Sequence, residues 1–104
     1  MKYAVIVQDT AIRSLEVIYR HIAQDEPVNA ARYAQQLRKA CESLKTFPKR
    51  CPVAFENGLG GLELRHLIFD SYRIIFTVQD KTVHILDIRH AARLPLVKEA
   101  HKKL

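Results

Sequence analysis

Six side chains toward the C-terminal end of the sequence could do chemistry as a group: Arg65 and His66, then Arg73, then Arg89, His90 and Arg93. A guanidinium offers a rigid fork of donors that matches phosphate and carboxylate oxygens. An imidazole titrates near neutrality and can give or take a proton. Cleavage of RNA without a metal needs a base for the 2′ hydroxyl, a cation for the phosphorane charge and an acid for the leaving oxygen. His66 or His90 fits the base and acid roles and Arg73 fits the cation. Without proton transfer, the same group is a surface that grips an anionic partner. The ordinary alternative is a solvated sheet face, with Arg73 pinned to Asp70 or Asp87.

Other chemistries lack their residues. The cluster Gly58, Gly60, Gly61 has neither the spacing nor the following helix of a dinucleotide or phosphate loop, and the sequence has no HExxH or GxSxG. Of the five histidines only His84 and His90 are close in sequence, and no Cys or carboxylate repeats beside them at ligand spacing. No metal or cofactor is expected. Cys41 and Cys51 form no CxxC and are read as thiols in a reducing compartment.

The candidate residues fall on three strand-like runs, 62–69 (LELRHLIF), 72–78 (YRIIFTV) and 82–89 (TVHILDIR), separated by short polar turns. That pattern predicts an antiparallel meander. Side chains alternate along a strand, so Arg65 and Arg73 are expected near one another on the solvent side. Upstream, residues 3–7 (YAVIV) read as a strand buried on both faces. Ile12, Leu15, Ile18, Tyr19 and Ile22 keep the period of an amphipathic helix that ends near Ala23, with Asp9 and Thr10 offering N-cap side chains. Pro27 suits the first turn of a second helix. Its apolar set, Ala30, Tyr33, Ala34, Leu37, Cys41, Leu44 and Phe47, runs up to the stop at Pro48. A connection of about three residues makes the two helices an antiparallel hairpin. The segment 48–61 is a loop.

The expected fold is therefore α+β, in the order strand-helix-helix-strand-strand-strand. The hairpin packs on one face of a small, mainly antiparallel sheet, and the other face is left to solvent or a partner.

The sequence has 104 residues, 48% of them hydrophobic, with 17 Lys+Arg against 11 Asp+Glu and a net charge of +6. One domain, 1–104, is expected, its tail 94–104 a short helix or frayed. Such a chain buries roughly 65% of its unfolded surface without disulfide or metal help. No apolar run approaches the roughly 20 residues of a membrane span, and the N-terminal apolar stretch is too short for a signal peptide. A cytoplasmic location is expected. The positive balance points to a polyanionic partner, whether nucleic acid, a ribosome or an acidic protein segment.

The run 64–93 (LRHLIFDSYRIIFTVQDKTVHILDIRHAAR) resembles the signature of the RelE/ParE toxin superfamily: Arg65 on a strand, Tyr72-Arg73 followed by Phe76, the polar turn Asp80-Lys81, an apolar strand, and His90 with Arg93. Leu44, Phe47, Pro48 and the ENGLGG loop fit it too, so the resemblance covers about residues 3–93. It implies the toxin of a bacterial type II toxin-antitoxin pair, associated with growth inhibition and plasmid stabilization and neutralised by a cognate antitoxin. RelE-like members cleave mRNA on the 70S ribosome, whereas ParE-like members poison DNA gyrase. Leu64 and His66 stand where RelE-like nucleases tend to place lysines, and the tail RLPLVKEA lacks their tyrosine. The ParE-like branch is favoured, with Arg65, Arg73, Arg89, His90 and Arg93 contacting the target. On the nuclease alternative, Arg73, His66, His90 and Arg93 are catalytic; a further alternative is an inactive family member that only binds its antitoxin. Operator DNA is expected only through the antitoxin complex, and the free toxin can self-associate.

Overall fold

The computed structural model describes residues 2–92. Strand β1 (Ala4–Val7) leads into α1 (Asp9–Ala23) and α2 (Pro27–Glu42), followed by β2 (Arg65–Phe69), β3 (Tyr72–Gln79) and β4 (Thr82–His90). The sheet order is β1-β4-β3-β2. β4, β3 and β2 form the antiparallel meander, and β1 joins parallel to β4, with Ala4 opposite Thr82. A two-layer α+β domain results, as the patterning anticipates. The helical hairpin covers one face of the sheet, and Leu37, Leu44, Ile74, Phe76, Val83 and Ile85 make a core with no exposure.

Local chemistry explains the boundaries. Gln8, and not Asp9 or Thr10, is the N-cap of α1, without a side-chain cap bond. The Thr10 hydroxyl instead donates to the Leu86 carbonyl at 2.6 Å, tying the helix to β4 where β1 has ended. Pro27 begins α2 as its fixed φ favours. The α-helix stops at Glu42, short of the expected Phe47, and tightens into a 3₁₀ turn over Ser43–Lys45. The Ser43 hydroxyl donates to the Ala40 carbonyl at 2.6 Å, competing with the helical ladder, and the Lys45 carbonyl accepts from Tyr3 N at 2.7 Å, drawing the turn toward β1. Both hairpin turns place an aspartate, Asp70 and Asp80, at positive φ (53° and 55°), which Asp tolerates better than most residues.

Two expectations about faces are overturned. β1 is not buried on both sides: Ala4 and Ile6 are exposed and Val5 and Val7 half-buried, because an edge strand meets the helices on one face only. The outer sheet face is not wholly open either. The segment between α2 and β2 folds back over it, bridging Val53 to Arg65 and donating Ala54 N to the Leu64 carbonyl at 2.8 Å. The tail 94–104 lies outside the described residues.

Candidate functional site

Strand register decides which of the candidate residues meet. Arg65 sits opposite Phe76, in a row that faces the helices, whereas Arg73, three residues from Phe76, faces the other way. The expected solvent-side pairing of Arg65 with Arg73 therefore does not form. Arg65 is half-buried. Its Nη1 donates to the Cys51 carbonyl at 2.6 Å and its Nε lies 3.3 Å from Glu63.

Arg73 is only 2% exposed, and its partner is neither Asp70 nor Asp87. Its two terminal nitrogens donate to both carboxylate oxygens of Glu56, at 3.1 and 2.7 Å, and Glu56 has no exposure at all. The same Nη1 donates to His66 Nδ1 at 3.0 Å. Since a guanidinium only donates, Nδ1 accepts and the ring proton resides on Nε2. His66 is buried, and burial, reinforced by the Arg73 charge and opposed by Glu56, holds its pKa below the ordinary imidazole value. The Phe55 ring closes the cluster, 5.3 Å from His66 between centroids and 5.3 Å from Arg73 Cζ.

Arg89 is the cross-strand neighbour of Arg73 and is buried, with Nη1 3.6 Å from Asp87. Two like charges side by side on a sheet are unfavourable unless anions intervene, and Glu56 and Asp87 supply them. His90, opposite Tyr72, lies on the other side of the sheet from His66. It is exposed, its ring edge-on to Tyr72 at 5.2 Å and its Nδ1 accepting from Ala92 N at 3.1 Å. Arg93 lies outside the described residues. The structure thus joins Arg73 to His66 and sets Arg89 beside them, but separates Arg65 and His90 from the group. Glu56 is the residue that sequence reasoning missed. It is a lone carboxylate in a glycine-rich loop, and only its place before Asn57-Gly58, a turn that can fold a loop back, hinted at it.

On the helix side, an open apolar groove of about 970 Å³ runs between β1, α1 and α2, floored by Val5, Val7 and Leu15 and walled by Ile12 and Tyr19. Arg20, Arg38 and Lys45 stand on its rim with Glu16 and Glu42. Among the described residues no group of three or more His, Cys, Asp or Glu could hold a metal ion, and no helix is long and apolar enough to cross a membrane. Cys41 and Cys51 are buried free thiols; burial pushes the Cys41 pKa up to about 11.

The sequence profile of the family described as the ParE toxin of the type II toxin-antitoxin system parDE matches residues 5–95. The Toxin RelE2 of Caulobacter vibrioides is 39% identical over 85 residues, 81% of this chain and 90% of that protein. Among solved structures, a chain of the chromosomal ParDE TA system from P. aeruginosa superposes with a TM-score of 0.72 at 20% identity, covering 86% of this chain and 96% of that one. A chain of the toxin-antitoxin complex RelBE2 from Mycobacterium tuberculosis gives 0.58 at 22% identity, with coverages of 86% and 99%. At such identities the structural likeness carries the fold, and the family rests on the profile and on the 39% relative. The chain belongs to the ParE toxin family of type II toxin-antitoxin systems, within the RelE/ParE superfamily.

Proposed function

We propose that this toxin acts by binding, in the ParE manner, and arrests growth by poisoning DNA gyrase. The observation that carries the reading is the fate of Arg73 and His66. Cleavage needs a cation and a proton carrier open to the scissile phosphate. Here the guanidinium fork is filled by Glu56, the Nδ1 lone pair of His66 is occupied by Arg73, and both side chains are buried. Filled forks hold a scaffold together; they do not receive substrate.

The cognate antitoxin is proposed to lay an apolar helical face into the groove between β1, α1 and α2. A groove with Ile12 and Tyr19 exposed and a mixed-charge rim suits an amphipathic helix with acidic flanks. Operator DNA is reached only through that complex. A second reading, a RelE-like ribosome-dependent endoribonuclease, draws on the name of the 39% relative and on the exposed imidazole of His90.

The deciding experiment incubates the purified toxin with DNA gyrase, supercoiled plasmid and ATP, then denatures the protein. The expected result is linear DNA covalently held by gyrase. Intact plasmid from a preparation that arrests growth, together with cleaved mRNA on 70S ribosomes, overturns the gyrase reading and makes His90 the residue to mutate.

A further inference from the structure

Phe55 is 70% exposed, yet its ring is held in place. One contact is edge-on to His66, at 5.3 Å and 83°, and another is the Arg73 guanidinium 5.3 Å from the ring centroid. The backbone on either side is pinned: Ala54 N donates to the Leu64 carbonyl, Asn57 N to the Ala54 carbonyl, and the intervening Glu56 locks into Arg73. A buried ion pair adds little net stability, and its best-attested use is to select one arrangement over others. The arrangement selected here is the position of Phe55. Because that ring is ordered on folding, fixing it at an interface costs little further entropy.

The surroundings extend the patch. Ile68, 53% exposed, lies two residues along β2 from His66 and on the same face, and Val53 and Leu59 of the loop are 46% and 43% exposed. Lys49 is exposed at the base of the loop, where Arg65 is anchored to the Cys51 carbonyl, whereas Arg50 turns its guanidinium to Ser43, Thr46 and Phe47. Of the nearby carboxylates, Glu56 is consumed by Arg73 and Glu63 engages Arg65, so the net positive charge at the rim comes from Lys49. The groove is not part of this surface: it is built on β1, at the opposite edge of the sheet, and on the helix side.

We propose that the Phe55 patch is the surface by which the toxin holds its protein target, and that this target presents an apolar pocket bordered by carboxylates. Aromatic anchors at the centre of an interface carry much of the binding energy, while complementary rim charges set orientation and encounter rate. The proposal rests on the reading that this toxin acts by binding a protein. It leaves the antitoxin its groove, so the two partners are recognised by different edges of the sheet.

The test is Phe55→Ala in the full chain, with Phe47→Ala, another exposed aromatic (69%), as the matched control. Expected for Phe55→Ala are a folded protein, antitoxin affinity within about threefold of wild type, and at least about tenfold weaker growth arrest and gyrase trapping. Phe47→Ala should behave as wild type. Should Phe55→Ala not fold, Leu59→Glu places a carboxylate on the patch from the loop, away from the strand positions opposite Arg73, and the same losses are expected. Undiminished arrest by a folded patch variant overturns the proposal, as does a variant that loses the antitoxin complex and keeps arrest. Wild-type arrest without gyrase trapping, abolished by Phe55→Ala, sinks the gyrase assignment and leaves the patch standing. Equal trapping by wild type and Phe55→Ala does the reverse.

Discussion

Arg73 carries its charge into the interior because Glu56 meets it there with both oxygens. Removing one member leaves the other uncompensated where water cannot reach it. Glu56→Gln is therefore expected to lower unfolding stability by about 3–5 kcal/mol, read from urea titration, whereas a Glu56→Leu/Arg73→Met pair should lose far less. His66 supplies a second residue-scale expectation. Its folded pKa is depressed below the ordinary 6.5, so the unfolded chain binds the proton more readily. The stability this confers is present above that value and is lost as pH falls through it toward the folded pKa. Melting temperatures should drop on acidification below about pH 6.5, and His66→Gln, which keeps a hydrogen-bond acceptor but does not titrate there, should flatten that part of the profile. None of this was legible in the sequence. The candidate arginines and histidines can be named from their types and their family signature, but whether Arg73 is open or locked depends on a carboxylate 17 residues away in a loop. Loop carboxylates carry no periodicity that would assign them a partner.

At the scale of elements the sequence is more transparent, because helices and hairpins are specified by neighbours. The three-and-four spacing of apolar residues, Pro27 at the head of α2 and the aspartates in both hairpin turns all report directly on the backbone. What escaped was tertiary override: the turn at Ser43–Lys45 is pulled out of helix by a bond from Tyr3, the residue before β1. The same junction carries backbone strain. Phe47 sits at φ 46°, ψ 58° with its ring 69% exposed, a left-handed conformation unfavourable for a bulky residue. Arg50 spans the junction, its Nη1 donating to the Phe47 carbonyl at 3.1 Å and its Nη2 to the Ser43 hydroxyl at 3.3 Å. Phe47→Asn, which tolerates that conformation, should raise stability by up to about 1 kcal/mol in thermal or urea unfolding. A drop in stability would mean that the exposed ring contributes more through packing than the backbone loses through strain.

For the molecule as a whole, one sheet presents two unlike edges. β1 borders an apolar groove beneath the helices, and β2 borders the loop that displays Phe55. The net charge of +6 bathes both, so encounters with acidic partners should be salt-sensitive at either edge. The order of elements and the fold class follow from patterning and from the rule that an apolar helical stripe must find a sheet. The asymmetry between the edges does not, because it arises where the chain returns to itself over long separations.

The parallel pairing of β1 with β4 is the longest such return; Gln8 Nε2 meets His84 Nδ1 at 3.1 Å across 76 residues. β1 is made first and has no strand to pair with until β4 has left the ribosome, several seconds later at about 5–20 residues per second. During translation the N-terminal strand and the two helices must wait with their apolar faces uncovered, and the high sequence separation of the contact slows closure further. The groove takes part of its floor from β1, so it too is complete only once β4 holds that strand, and a helix that fits there meets its binding surface only on the closed sheet.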